Sequence, residues 1–533
     1  MSARSGADLD ALAVEPHGVP RARQMLERAR WAARSFATYD HVSVMRILEA
    51  VTQVAEQRAE HYAEWAVRET GFGVVADKVV KNKLCSRGIL DAYRDHDYVS
   101  PRLDTGGRKI LELPRPAGVV LALTPSTNPV STVYFKVILA LMTRNAVVVS
   151  PHPLAKECCA DAARVLGDAA VAAGAPDGVV QVVEEPSVPL IEALMTDERT
   201  DVILATGGGA VVRAAYSSSN PAIGVGPGNV PVLVDATADL ARAARKLVDS
   251  KAFDNSLLCT NESVLIVEEA VADEFLAKMS RHGAHVLSGA DVDAVRNTVF
   301  PEGCFDTSLV GADAATIATK AGVRVPAATR ILVAPFDLVV DEEPLAHEKL
   351  CPVLGVTRVP TARRGIRTAA AVLRIGGAGH SAVIHSKDPR TVMDYAAAVN
   401  VLRVAVNEGG SAGSAGFDTD LAPSMTIGTG FAGRSSLGEN LQPKHLVDYA
   451  RIAYSSDPTE VMPSFEGLTP LAAPRTAVPA YPVASNLVPV DDPSRTHASQ
   501  FATTSTSPGD DTIGLRDELR RLIIEELQSI IRS

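Results

Sequence analysis

The 533-residue sequence has no run of about 18 apolar residues, which excludes a membrane-spanning helix. Its start, Met1-Ser2-Ala3-Arg4-Ser5-Gly6, lacks the apolar core of a secretory signal. Basic excess is also missing: 52 Lys and Arg face 63 Asp and Glu, a formal net charge of −11. That balance argues against nucleic acid or an anionic membrane as the main partner. The six cysteines (Cys85, Cys158, Cys159, Cys259, Cys304, Cys351) show no metal-ligand spacing, and the one close pair is adjacent within an expected helix. Neither a metal site nor a disulfide framework is expected. What remains is a cytoplasmic globular protein, 46% hydrophobic and 22% charged, long enough for two or three domains.

The stretch with the most chemical promise is Phe253-Asp254-Asn255-Ser256-Leu257-Leu258-Cys259-Thr260-Asn261. A thiol reacts as thiolate, which requires a polar, partly open site or a nearby helix start, and the small polar neighbours of Cys259 meet the first condition. Alone, the signal is weak, because most lone cysteines are small buried hydrophobes.

Around it the chain changes period several times. Residues 1–20 read as irregular. From Asp40 to Arg68, Val44, Ile47, Leu48, Val51, Ala55, Tyr62 and Trp65 recur at helical spacing, with Asp40 as N-cap and Gly71 as a stop. Val75 to Asp95 repeats the pattern more weakly. Residues 98–116 read as strand, Gly106-Gly107 turn, strand, a hairpin suited to an oligomer contact. From Ala117, strands and helices alternate: Val119 to Leu123, the turn Thr124-Pro125-Ser126-Thr127-Asn128-Pro129, a helix from Ser131 to Thr143, and Ala146 to Ser150 make a βαβ unit of a parallel sheet. The sheet continues to Thr206-Gly207-Gly208-Gly209, a Gly-rich turn opening a helix. A pyrophosphate could sit there, although it is not GxGxxG and a tight connection explains it equally well. A second α/β region starts at Pro231 and runs to about residue 410.

Prolines recur from 458 to 493 and Ser, Thr and Asp dominate to 512, so 456–513 reads as a linker. In the helix that follows, over 514–533, Leu515, Leu519, Leu522, Ile523, Leu527 and Ile530 share one face, opposite Asp517, Glu518, Arg521, Glu525 and Gln528. It must dock on a partner protein, on its own body or on another copy of itself.

Taken together and in order, Thr124-Pro125-Ser126-Thr127-Asn128-Pro129, Ser150-Pro151-His152-Pro153, Ala205-Thr206-Gly207-Gly208, Phe253-Asp254-Asn255-Ser256 with Cys259, Glu348-Lys349-Leu350-Cys351-Pro352-Val353 and Asn440-Leu441-Gln442-Pro443-Lys444-His445-Leu446 resemble the aldehyde dehydrogenase superfamily. Within it, the CoA-acylating branch associated with bacterial microcompartments is the nearest likeness, over roughly residues 25 to 455. The terminal helix resembles an encapsulation peptide. The resemblance implies an α/β fold: a Rossmann-like cofactor domain (1–228, its hairpin 98–116 in an oligomerisation arm), a second α/β catalytic domain (229–424), and a return through 425–455 to the cofactor domain and arm. It implies Cys259 as nucleophile, with the Asn128 amide and the Cys259 backbone N–H facing the oxyanion. NAD would lie along Thr124, Pro125, Ser126, Thr206, Gly207 and Gly208, with His152 near the adenosine ribose and Glu348 on the nicotinamide ribose. Each has a plainer reading: Asn128 and His152 as turn formers, Glu348 as a solvated carboxylate.

One departure decides the acyl acceptor. Hydrolytic relatives carry a glutamate base in Glu-Leu-Gly-Gly before the cysteine, where this chain reads Gly224-Val225-Gly226-Pro227-Gly228-Asn229. Without that base, attack by water on the thioester is expected to be slow; a better nucleophile must finish the turnover, and a thiol such as that of CoA fits. The expectation is therefore an NAD-dependent oxidation of a small aldehyde to acyl-CoA by a homodimer or homotetramer, tethered by 514–533 to a microcompartment shell protein and working in the compartment lumen. His380 and His445 are possible aids to thiol deprotonation, and each more readily shapes a turn. The rivals are a hydrolytic dehydrogenase and a non-catalytic cargo scaffold.

Overall fold

The computed structural model describes residues 18–104 and 106–468. Most of the expected linker over 456–513 and all of the expected helix over 514–533 lie outside the described residues.

Helical periodicity in the first hundred residues resolves into the helices Val19–Phe36, His41–Gln57 and Ala59–Thr70. Asp40 caps the second, accepting from the Ser43 N–H at 2.8 Å. The segment expected to run unbroken from Asp40 to Arg68 divides at Arg58, which leaves helical geometry (φ −101°, ψ 7°). One residue out of helix barely shifts the apolar phase, so periodicity does not reveal such a break. Val75–Lys83 is helical too, and a wider turn at Leu84–Gly88 joins it to the helix Ile89–Tyr93. Its pattern is weak for a physical reason: the inward residues are Lys78, Lys81 and Asn82, all buried.

The hairpin forms from β1 (Arg102–Leu103) and β2 (Ile110–Pro116), paired antiparallel. Next come β3 (Val119–Thr124), β4 (Ala146–Pro151), β5 (Val180–Val182), β6 (Val202–Thr206) and β7 (Ala222–Val225). They form one parallel sheet in the order β5-β4-β3-β6-β7. Beyond it lie β8 (Val230–Val234), β9 (Glu262–Glu268), β10 (Ala284–Val286), β11 (Ile331–Pro335), β12 (Val353–Val359), β13 (Ala382–His385) and β14 (Val404–Val406). These build a second parallel sheet in the order β10-β11-β12-β9-β8-β13-β14. The chain ends its described course in β15 (Val447–Ala453), which pairs antiparallel with β2 from Val447↔Pro116 to Ala453↔Ile110.

Parallel strands covered on both faces read as continuous apolar runs, and β3, β4 and β8 are buried at every position. The helix Pro129–Met142 is buried on all sides, so its sequence shows no polar face. Asn145 ties the return of the chain to this core. Its Oδ1 accepts from the Gly118 N–H at 2.7 Å, and its Nδ2 donates to the Leu446 carbonyl at 2.9 Å and Thr143 Oγ1 at 2.7 Å. Asn145→Leu strands these buried groups, at roughly 1–3 kcal/mol for each one left unpaired. The expected outcome is a lower thermal midpoint and a loss of about 2–5 kcal/mol of stability in denaturant titration.

Candidate active site

Cys259 lies in the loop between the helix Leu240–Ala252 and β9, partly exposed where its neighbours are buried. Three consecutive residues ahead of it, Asp254, Asn255 and Ser256, take left-handed backbone angles (φ 47°, 50° and 70°). Side-chain residues resist this conformation, so the turn persists only because surrounding bonds over-determine it. Asp254 Oδ1 accepts from the Val74 N–H at 2.7 Å, and its Oδ2 accepts from Lys78 at 3.1 Å and from Lys81. The Asn255 amide donates to the Gly311 carbonyl at 2.8 Å. Ser256 Oγ donates to Asn261 Oδ1 at 2.8 Å, while the Asn261 amide returns to the Ser256 and Leu258 carbonyls at 3.0 and 2.5 Å. Lys251 Nζ, 2.7 Å from Asn261 Oδ1, completes the brace.

Asn128 stands at the N-cap of the helix Pro129–Met142, where an Asn side chain normally bonds its own helix. Here it makes no such bond. Its Oδ1 accepts from Lys81 Nζ at 2.5 Å, and its Nδ2 donates to the Leu257 carbonyl at 3.2 Å. The turn therefore does more than end a strand: its amide reaches across to the cysteine loop, two residues before the thiol.

Burial pushes the Cys259 thiol up to about 12; the Glu348 charge raises it further, while Arg403 and the cysteine's own backbone N–H oppose the rise. The resting group is thus the thiol. Glu348 is itself pushed up to about 7 by burial, against the Gly228 N–H that donates to its Oε1 at 3.1 Å. A Cβ on Gly228 would stand 2.1 Å from the Cys259 carbonyl oxygen, so a side chain at 228 is sterically excluded. No carboxylate reaches the thiol from residues 224–229, but Glu348 does come close. Arg403, buried, donates to the His380 carbonyl at 3.1 Å, the Gly379 carbonyl at 3.0 Å, Asn440 Oδ1 at 3.1 Å and the Gly428 carbonyl. Neither Arg403 nor the pair Lys78 and Lys81 was anticipated; the detectable signal was charge set among apolar residues.

The first parallel sheet reverses strand order between β3 and β6, the place where open α/β sheets bind dinucleotides. Thr124 ends β3 with Pro125 and Ser126 after it, and Thr206 ends β6 with Gly207 and Gly208 after it. The helix Gly209–Tyr216 has no side-chain cap and no acidic residue in its first turn, and a Cβ on Gly209 would meet open space. Buried hydroxyls of Thr124 and Ser150, at the carboxyl ends of β3 and β4, have no partner among the described residues. These features fit an anionic dinucleotide. Lys136 joins the two strand ends, donating to the Leu123 and Leu204 carbonyls at 2.5 and 2.8 Å.

His152 shapes the turn after β4: its Nδ1 accepts from the Leu154 N–H at 3.1 Å, and burial lowers it to about 4. His445 closes a capping box with Gln442 and contacts Glu439 at 3.0 Å. His380 is fully buried and lowered to about 3 by burial, then by Arg403. Its Nδ1 lies 2.8 Å from Ser381 Oγ, and its Nε2 has no partner among the described residues. A ring held neutral this firmly is a weak base at pH 7.

Among curated proteins, the chain is 37% identical over 434 residues to a bifunctional aldehyde-alcohol dehydrogenase of Escherichia coli, covering 80% of this chain and 49% of that protein. It thus spans about half the length of the first curated relatives it matches. A succinate-semialdehyde dehydrogenase (acetylating) of Clostridium kluyveri is 34% identical over 445 residues, 83% of this chain and 98% of that one. Among solved structures, an acetylating aldehyde dehydrogenase from Geobacillus thermoglucosidasius superposes with TM-score 0.81 at 35% identity, covering 85% and 100% of the two chains. A propionaldehyde dehydrogenase from the Clostridium phytofermentans fucose utilisation bacterial microcompartment gives 0.74 at 28%, covering 81% and 97%. The Rhodopseudomonas palustris propionaldehyde dehydrogenase, with bound CoA and an acylated cysteine, gives the same score, identity and coverage. The profile of the aldehyde dehydrogenase family matches residues 13–418, well over half of the sequence, and the chain belongs to that family.

Proposed function

We propose that the chain is a CoA-acylating aldehyde dehydrogenase, converting a small aldehyde, NAD⁺ and CoA to acyl-CoA, NADH and a proton. The observation that carries this reading is the bond from the Asn128 amide to the Leu257 carbonyl of the cysteine loop, two residues before Cys259, beside a crevice fit for a dinucleotide and without a carboxylate on 224–229. The relatives named acetylating and the R. palustris structure with CoA and an acylated cysteine support it.

The Cys259 thiol gives up its proton to solvent, its sulfur attacks the aldehyde carbon as the C=O π bond opens, and the carbonyl oxygen, gaining charge, takes hydrogen bonds from Asn128 Nδ2 and the Cys259 backbone N–H. NAD⁺, when bound, would supply the acceptor for the hydride lost from the thiohemiacetal carbon as the thioester forms. Thr206, Gly207 and Gly208 would hold its pyrophosphate beside Thr124, Pro125 and Ser126, with His152 toward the adenosine ribose and Glu348 toward the nicotinamide ribose. The CoA sulfur then attacks the acyl carbon, the bond to Cys259 breaks, and the cysteine leaves as thiolate. Residues 1–228 form the cofactor domain and 229–424 the catalytic domain. The sheet of β1, β2 and β15, whose outer strand has no further partner among the described residues, serves with 425–455 as the arm of a homodimer or homotetramer.

No helix among the described residues is long and apolar enough to cross a membrane. A cytoplasmic enzyme inside a microcompartment, attached to a shell protein by 514–533, suits a reactive aldehyde, and the C. phytofermentans neighbour supports this placement. Deleting 514–533 should leave turnover in solution unchanged and abolish co-purification with shell proteins; retained packaging would refute the tether.

Stopped-flow NADH absorbance with a panel of short aldehydes tests the acyl acceptor. Without CoA we expect a burst equal to the enzyme concentration, then a steady rate lower by roughly 100-fold or more, the usual worth of a missing general base. Sustained turnover without CoA would mark a hydrolase. Cys259→Ala should show no burst while keeping its fold.

The pH dependence follows from the raised thiol. Below its pKa the thiolate fraction grows about tenfold per pH unit, so Cys259 alkylation by iodoacetamide, without cofactor, should accelerate steadily from pH 7 to 9. Glu348→Gln removes a negative charge that disfavours the thiolate, so alkylation at pH 8 should be several-fold faster while the KM for NAD rises. Slower alkylation would instead make Glu348 the base.

A further inference from the structure

We propose that Lys81 is a positioning residue for the reaction: its hydrogen bond to Asn128 Oδ1 fixes the side-chain amide so that Nδ2 faces the cysteine loop. The inference rests on the reading of Asn128 as an oxyanion donor. Lys81 and Asn128 are 1% and 8% exposed, and Nζ stands 2.5 Å from Oδ1. An ammonium carries three donors and no acceptor, so the amide beside it can present only its oxygen. That leaves the NH₂ group for the other side, where it donates to the Leu257 carbonyl and to Thr127 Oγ1, both at 3.2 Å.

Lys81 is held in turn. Asp254 accepts from it and from Lys78 at 3.1 Å, and Lys78 also donates to the Thr127 carbonyl at 3.2 Å. Two lysines one turn apart on the helix Val75–Lys83 thereby grip the cysteine turn through Asp254 and the asparagine turn through Thr127 and Asn128. With Lys81 replaced by an apolar side chain, Oδ1 loses its partner and only the two 3.2 Å bonds from Nδ2, to the Leu257 carbonyl and Thr127 Oγ1, oppose rotation of the amide. The rotated amide would turn a carbonyl lone pair toward the oxygen that becomes negative. Lys81 also places a positive charge behind the amide, which polarises its N–H groups toward that oxygen.

A double-mutant cycle tests this with Lys81→Met, Asn128→Ala and the double variant. The readouts are kcat and KM for aldehyde oxidation with CoA, and iodoacetamide alkylation of Cys259, which forms no oxyanion. Each single variant should lower kcat by about 100-fold, the usual loss for one oxyanion-hole donor, with KM for aldehyde within about threefold of the parent. The double variant should be no more than about threefold slower than Asn128→Ala, and alkylation rates should match the parent. If Lys81→Met does not fold, Lys81→Gln, which keeps a donor but can also turn its oxygen to Asn128, enters the same cycle and should fall between parent and Asn128→Ala. Multiplicative losses, or alkylation slowed in step with kcat, would make Lys81 a scaffold residue and overturn the proposal. Asn128→Ala slow with Lys81→Met at the parent rate overturns it alone. Asn128→Ala at the parent rate removes the oxyanion reading, and the proposal with it.

Discussion

The site depends on one buried carboxylate. Asp254 is fully enclosed, and an ion taken out of water costs several kcal/mol unless it is well paired and hydrogen-bonded. Here it meets Lys78, Lys81 and the Val74 N–H, while its own N–H donates to Asp77 at 2.8 Å. Gly73 makes the approach possible: with φ +81°, it lacks the Cβ that would fall 2.1 Å from Asp254 Oδ1. The carboxylate thus ties a helix near residue 80 to a left-handed turn near residue 255, and the turn to the nucleophile. Two cations and one anion at its centre, with Asp77 at its edge, leave the buried cluster short of negative charge on the side of Asn128.

The opposite side of the thiol has the reverse character. Glu348, raised to about 7 by burial, is retained by a backbone N–H that only a glycine at 228 lets come so close to the cysteine carbonyl. No side chain, carboxylate or other, fits at 228 without displacing the cysteine loop.

Much of the scaffold is legible in the sequence. A strand run such as Ala146-Val147-Val148-Val149 is buried on both faces, and burial on both faces leaves a period-free apolar signature. The nucleophile loop is legible as a motif, but its left-handed backbone is not, since Asp254 and Asn255 are held in it by partners 56 to 180 residues away. Lys78, Lys81 and Asn82 escape notice because periodicity counts apolar residues, and here the inward face of the helix is polar. Arg403 is hidden likewise: four partners from three loops satisfy it, and none is near in sequence. Asn128 is ambiguous between cap and donor until the missing cap bond settles where its side chain goes.

These placements share a logic of charge. Cys259 lies in a field with Arg403 favouring its anion and Glu348 opposing it, and burial holds the resting sulfur protonated. In the proposed mechanism, carbon–sulfur bond formation would move negative charge from sulfur to the carbonyl oxygen, toward the Asn128 amide and away from a sulfur poorly solvated as an anion. Preorganised dipoles stabilise charge where it arrives and cost no reorientation at that moment. A site that keeps its nucleophile a reluctant anion, and its oxygen-facing donor locked from behind by an ammonium, favours the adduct over the free thiolate. The same asymmetry would act in the proposed attack of a second sulfur on the thioester, because that step returns negative charge to the acyl oxygen first.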